Sequence, residues 1–250
     1  MLRWRSRHRH DPRTHLSDVR TGWVRRALAG DPLDLVTLDE IQAALVDSAA
    51  SAGTVDVDDA RLIAATDVLA AMALVEPGEP QVAWVRGRLV GDLGRHGEAA
   101  ADNLHVVRRC DVLRADPLSA RNAEDLTLWR DSALAAAAMA FARAAQPLTA
   151  ARLAADVLDA DQRDDVVILL EPWTPTGDAR VPLVRSLLEG RPLDLGAVSH
   201  IQAGAARQAI EGNEHATDAV LDVLATLAYV EEGEPAHPWN RGALLFEAQK

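Results

Sequence analysis

Two aspartates, Asp67 and Asp222, hold matching places in two nearly identical apolar stretches. These are DVLAAMALVEPGEP from Asp67 to Pro80 and DVLATLAYVEEGEP from Asp222 to Pro235, with ten identities in fourteen positions. Two carboxylates brought face to face by such a repeat could share a proton or hold a metal ion, which is the chemistry of a hydrolase. A carboxylate buried alone in an apolar helix is costly, so each also calls for a cation. Arg86 and Arg241, each nineteen residues further on, are the partners their positions suggest. One structural ion pair per repeat is then the plainer expectation.

Other side chains of suitable type are spread more thinly. Glu76 and Glu79, with their counterparts Glu231 and Glu234, flank Gly78 and Gly233. A glutamate pair three apart can bind a cation, but in a turn solvated charge is the simpler expectation. A di-iron site needs Glu-x-x-His on two helices. The one instance here, Glu234 to His237, stands in the proline-bounded Glu-Pro-Ala-His-Pro, and the first copy has Val82 in place of the histidine. His8, His10 and His15 share their segment with arginines that oppose a dication. Cys110 follows Arg108 and Arg109, whose charges favour thiolate, although a small buried thiol needs no such role. Glu124, Asp125 and Asp131 read as helix-start and surface charges. The run Asp156, Asp159, Asp161, Asp164, Asp165 reads as an acidic surface on which an arginine-rich partner could dock. Trp84 and Trp239, another matched pair, are expected as wedges between helices. The chain contains no His-Glu-x-x-His, Gly-x-Ser-x-Gly or Gly-x-Gly-x-x-Gly, so neither metal nor cofactor is expected.

The elements that position these residues repeat as well. LAGDPLDLVTLDEIQA from Leu28 matches LEGRPLDLGAVSHIQA from Leu188, and Trp84 with Arg86-Gly87 matches Trp239 with Arg241-Gly242. The copies therefore run from about 18 to 94 and from 178 to 249. The offset falls from 160 to 155 between the matches, which places a five-residue deletion in a surface loop. Each copy reads as helices. Ser17 can cap one bearing Val19, Trp23 and Ala27, and Thr37-Leu38-Asp39-Glu40 is a capping box for a second. Arg61 to Val75 is apolar nearly all round apart from Thr66 and Asp67, as a helix in the middle of a bundle is. A shorter helix runs through Trp84, Val85 and Leu89, and Gly78 or Gly233 can take the left-handed cap before the proline. The intervening segment is helical too. Glu98 to Leu113 is one helix, an alanine-rich one capped by Asn122 ends near Pro147, and one capped by Thr149 reaches toward Leu170. The predicted architecture is all-α, a helical bundle built from an internal duplication with a helical middle. The turn-forming 171–177 is predicted to separate a helical domain over 17–170 from a second over 178–250, with a basic arm over 1–16 ahead of both.

Composition narrows the chemistry further. Lys250 is the one lysine among 26 Lys+Arg, and Tyr229 is the one tyrosine. The chain thus has no phosphate-loop lysine, no internal lysine for a pyridoxal Schiff base and no Tyr-x-x-x-Lys pair. A single cysteine excludes an intrachain disulfide and a cysteine-based zinc cluster, and points to a reducing cytoplasm. The longest apolar run, Ala133 to Ala142, is half a membrane span, so neither insertion nor secretion is expected. The net charge of −12 divides into +6 over residues 1–26 and −18 over the rest. Such a body attracts basic partners and repels phosphate. Arg3, Arg5, Arg7 and Arg9 of the arm are the one place where nucleic acid could be held.

DDARLIAATDVLAAM from Asp58 to Met72 and LTLWRDS from Leu126 to Ser132 resemble a family of uncharacterised small alanine-rich helical bacterial proteins known only as a domain of unknown function. The resemblance covers about residues 38–132. It implies a helical fold and bacterial origin, and supplies no catalytic residues.

The functional expectation is a non-enzymatic, cytoplasmic interaction module whose acidic body binds a basic protein partner. An immunity or antitoxin-like role is its most concrete form, since blocking a basic nuclease calls for a surface that imitates phosphate charge. The rivals are a hydrolase or metal-dependent enzyme using Asp67 and Asp222 between the repeats, and a structural homodimer. An enzyme needs convergent polar groups in a pocket, whereas a binder spreads them over an exposed face.

Overall fold

The computed structural model describes residues 35–51, 59–75, 78–173, 178–210, 213–231 and 234–248, with residues 20, 22, 25, 26 and 29. The arm with Arg3, Arg5, Arg7 and Arg9, the expected cap Ser17, Glu76, Gly233 and residues 174–177 lie outside the described residues. The described residues form eleven α-helices and no strand, so the chain is all-α. They divide into two compact units, Met1–Arg95 and His96–Lys250.

The first unit holds α1 (Leu35–Ser51), α2 (Asp59–Val75) and α3 (Pro80–Asp92), with α2 packed against both neighbours. Leu62, Ala65, Val68, Leu69 and Met72 fall at helical spacing on one face of α2 and are buried, with Leu38 of α1 and Val82 of α3 closing the core. Ile63 and Asp67, on the opposite face, are exposed. With Ile63 and Asp67 exposed, α2 is not buried all round as its composition suggested. Pro80 opens α3 at a position where its missing N–H costs nothing, and the Glu79 carboxylate caps the helix by accepting from the Gln81 amide at 3.3 Å. The capping box expected at Thr37 to Glu40 lies inside α1, which starts at Leu35.

The second unit contains α4 (His96–Ala115), α5 (Ala123–Arg143), α6 (Pro147–Ala154), α7 (Ala160–Leu170), α8 (Val181–Leu188), α9 (Leu195–Ile210), α10 (Glu214–Val230) and α11 (Ala236–Ala248). Asn122 caps α5, accepting from the Glu124 amide at 3.0 Å. The alanines of α5 then let α4, α6 and α7 approach closely, and Ala133, Ala137 and Ala138 are wholly buried. The short α6 is the hub: it packs on α5, α7, α8 and α10, and every residue in it except Arg152 is buried.

This packing moves the expected domain boundary. The segment 96–170 belongs to the second unit, where α6 packs on α8 and α10, beyond 171–177 in the chain. The division falls after Arg95 instead. The helix expected to run from Thr149 toward Leu170 is also two helices. Its break is held by Asp131 of α5, whose carboxylate accepts from the Leu158 and Asp159 amides at 2.8 Å each, after which Asp159 caps α7. Thr149 is not a cap but a buried residue within α6.

Among the described residues, left-handed conformations follow three of the helices. Gly94 and Gly190 follow α3 and α8 with φ of 73° and 75°. After α5 the same position is taken by Ala145 at φ 59°, and the Gln146 amide donates back to the Phe141 carbonyl at 2.9 Å. A Cβ makes that conformation costly for alanine.

Candidate functional site

Asp222 stands in the middle of α10 with 0% of its surface exposed. Both of its carboxylate oxygens are engaged. Oδ2 accepts from the Leu148 amide and from Arg180 Nη1, each at 2.9 Å. Oδ1 accepts from the Thr149 amide at 2.8 Å and lies 2.8 Å from Thr149 Oγ1. One turn on, the Thr226 hydroxyl donates to the Asp222 carbonyl at 3.0 Å and lies 2.9 Å from Thr149 Oγ1.

Leu148 and Thr149 are the second and third residues of α6, whose own N-cap residue, Gln146, supplies no side-chain hydrogen bond. The first amides of any helix lack intrahelical acceptors, and in a buried helix water cannot serve them. Asp222 supplies the acceptors from another helix and sets a negative charge at the positive end of the α6 dipole.

The balancing cation is Arg180, whose side chain is 3% exposed. Its Nε and Nη2 hold the two oxygens of Asp178 at 3.0 and 2.7 Å, while Nη1 spans Asp222 and the Ala145 carbonyl, the latter at 3.3 Å. The Trp173 ring centre lies 5.4 Å from its guanidinium carbon. Burial opposes the charge on Arg180, but the Asp178 hydrogen bond and the charges of Asp222 and Asp178 outweigh it and raise the pKa above the ordinary value. The Arg180 hydrogen bond in turn holds Asp178 below the usual carboxylate range, against burial. Burial pushes Asp222 above that range, opposed by Arg180 and the two amides.

The expected partnership with Arg241 is therefore corrected. Arg241 places its Nη2 3.5 Å from Gln146 Oε1, and its Nε–H is buried without a hydrogen bond among the described residues. Burial lowers its pKa, with the Asp222 charge opposing. Asp67 differs again: its side chain is 66% exposed and pairs at 3.0 Å with Arg20, while Arg86 is half-buried in α3. Arg20 and Arg180 were missed, yet the signal was present. They are separated by 160 residues, the offset of the upstream repeat, and Asp67 and Asp222 by 155. The two arginines stand eight residues before the matched stretches that begin at Leu28 and Leu188.

The acidic residues expected on the surface separate by task. Asp156 accepts from Arg152 at 2.7 Å and from the Tyr229 hydroxyl at 2.9 Å. Asp159 caps α7 through the Gln162 amide at 2.9 Å, Glu79 caps α3, and Glu234 accepts from the Ala236 amide at 3.1 Å. Glu231 and His237 are 2.6 Å apart. Asp131, expected as a surface charge, is buried. Asp161, Asp164 and Asp165 are exposed, and their carboxylates make no hydrogen bond or ion pair among the described residues. Trp84 is half-buried, but Trp239 is 77% exposed and does not wedge helices. Cys110 is wholly buried. Burial, then the neighbouring Asp111 charge, raises its thiol pKa, reversing the effect expected of Arg108 and Arg109.

Chemically, the Asp222 centre is a closed hydrogen-bonding network, with no oxygen of the carboxylate left for a substrate or metal ion. Among the described residues, no group of three or more His, Cys, Asp or Glu side chains could hold a metal ion, and no helix is long and apolar enough to cross a membrane. No family model, curated protein or solved structure matches the chain.

Proposed function

We propose that this chain is a non-catalytic helical interaction module that docks a basic protein partner on the exposed face of α7. The observation that carries the reading is a single stripe. Asp161, Asp164, Asp165 and Ile168 fall at i, i+3, i+4 and i+7, and all four are exposed. Leu158, 73% exposed, stands just before the helix, and Ile168 is 60% exposed, so an aliphatic side chain marks each end of the three carboxylates. Carboxylates without an internal partner steer a cationic surface and set its register, while desolvated aliphatic contacts supply affinity.

An inhibitor of a basic nucleic-acid-binding protein, of the immunity or antitoxin kind, is the concrete form of this reading. Carboxylates on such a stripe compete with phosphate for the same arginines. The hydrolase alternative finds less support, because the Asp222 carboxylate is spent on the α6 amides, Thr149 and Arg180. The matched stretches fall on α2 and α10, 17 residues each, and on α3 and α11, 13 each, which supports an origin by duplication.

The test is affinity capture from the native host at low salt, run in parallel with the full chain and with the charge-reversed variant D161R/D164R/D165R. A basic protein retained by the first and lost by the second supports the reading. Recovery of the same proteins by both refutes it.

A further inference from the structure

The second unit carries an arginine-rich cleft that the α7 stripe does not use. Leu104, Val107, Arg108 and Asp111 occur at i, i+3, i+4 and i+7 of α4 and form one wall. Arg130 of α5, Arg152 of α6 and Tyr229 near the end of α10 complete it, around a cavity of about 220 Å³.

Its hydrogen bonding is unbalanced in one direction. Arg130 Nε donates to Asp111 Oδ1 at 2.8 Å. Arg152 Nη1 donates to Asp156 Oδ1 at 2.7 Å, and the Tyr229 hydroxyl takes Asp156 Oδ2 at 2.9 Å. The Arg152 guanidinium also lies over the Tyr229 ring, 5.5 Å from its centre. Burial and then Asp156 raise the Tyr229 pKa well above the phenol range, so the hydroxyl stays a donor spent on Asp156. Both oxygens of Asp156 are thus occupied, whereas each guanidinium has five N–H donors and uses few of them. The Arg108 side chain makes no hydrogen bond or ion pair among the described residues. Among the lining groups three arginines face two aspartates, one of which, Asp111, is also shared with Arg114 at 3.7 Å, so the cleft carries at least one surplus positive charge in a chain whose net charge is −12.

A second recess of about 430 Å³ shares Arg152 and Val230 with the first. Leu187, Pro192, Leu193 and Leu195 make it apolar, and its arginine on that side, Arg191, is paired with Glu189. Surplus donors in one chamber and the exposed aliphatic surface of Pro192 and Leu195 in the next describe a ligand with an anionic head and an apolar tail. Together the chambers fall within the about 300–1,000 Å³ of ordinary small-molecule sites. One surplus charge matches a monoanion better than a phosphate dianion, and the guanidinium fork matches a carboxylate.

We propose that this cleft binds an alkyl monocarboxylate, its head held by Arg108, Arg130 and Arg152 and its chain running past Val230 onto Pro192, Leu193 and Leu195. The site is independent of the α7 stripe.

The test is calorimetric titration of decanoate, below its micelle concentration, into the full chain and two variants, with inorganic phosphate and decanol as comparison ligands. Arg108 and Leu195 are exposed, so Arg108→Ala and Leu195→Asp leave the fold intact, as circular dichroism will check. Decanoate is expected to bind one to one. Arg108→Ala is expected to weaken it about tenfold or more, the loss of one charge-assisted contact, and Leu195→Asp to weaken it by at least as much. The proposal is overturned if decanoate does not bind, or if either variant binds it as tightly as the parent chain. Decanol binding equally well would also overturn it, since the carboxylate would then be irrelevant. Phosphate binding as tightly, with the same loss in Arg108→Ala, would reduce the cleft to a general anion site and overturn it too.

Discussion

Arg180 Nη1 and Asp222 Oδ2 are 2.9 Å apart, in side chains that are 3% and 0% exposed, and this pair joins α10 to the start of α6 and to the segment leading into α8. Burying two charges is favourable only when their remaining donors and acceptors are met. Here Asp178, the Ala145 carbonyl and the α6 amides meet them.

Asp222→Asn removes one of the two carboxylates that hold Arg180 and turns an N–H₂ toward the buried Leu148 and Thr149 amides or the Arg180 guanidinium. A loss of about 3–5 kcal/mol is expected, the scale for breaking a buried pair. Asp67→Asn, at the matching place in the first unit, removes only an exposed pair and is expected to cost less than about 1 kcal/mol. Urea unfolding of the two variants side by side measures the contrast. Equal losses would mean that the Asp222 network carries no special stability.

The pH dependence follows from Asp178. Its carboxyl is held below the ordinary value by Arg180, so the folded state binds its proton later than the unfolded chain does as pH falls. The stabilisation is complete above the unfolded value, near pH 4, and disappears as pH falls through the folded one. Asp178→Asn is expected to cost about 1 kcal/mol at neutral pH, allowing for the partial exposure of the carboxylate. The gap between the two proteins should close in thermal melts taken down from pH 6 to pH 3. A gap that stays constant across that range would contradict the assignment.

Ala145→Gly is expected to stabilise the protein by about 0.5–1 kcal/mol. At φ 59° a glycine relieves the Cβ clash, a gain partly offset by its greater freedom in the unfolded chain. Tm should rise by about 1–4 °C. A lowered Tm would show that the alanine methyl packs usefully in the turn before α6.

Cys110 should be inert in the native state. Wholly buried, with its thiol pKa raised, it exposes no thiolate to a reagent such as DTNB at neutral pH. Labelling is expected only at the rate at which the α4–α5 region opens, and stoichiometrically in denaturant. Rapid labelling without denaturant would place the thiol at the surface.

Local signals carried most of the helices. Asn122 as a cap, the helix over Arg61 to Val75 and the shorter helix through Trp84, Val85 and Leu89 are read within one or two turns of chain, and the structure has them where the sequence suggests. The break at 155–159 was not legible, because it is made by Asp131, some 27 residues away along the chain. Thr149 looked like a cap because threonine before a helical run commonly is one. In the structure its amide and hydroxyl meet Asp222, 73 residues on.

The sequence by itself determined the helical class, the two matched stretches, the separation of charge and the chemistries that missing lysines exclude, because propensity, periodicity and composition are properties of neighbouring residues. Only the tertiary structure decided which aspartate of the matched pair is buried. Asp67 and Asp222 share their local sequence, but among the described residues of the first unit no helix start meets Asp67, which pairs with Arg20 instead, while in the second unit α6 lies against α10 and needs acceptors for its first amides. Burial depends on what packs from elsewhere in the chain, so one aspartate is a solvated surface charge and the other an internal cap. The same reason separates Asp161, Asp164 and Asp165, open to a partner, from Asp156 and Asp159 beside them, which the fold has already engaged.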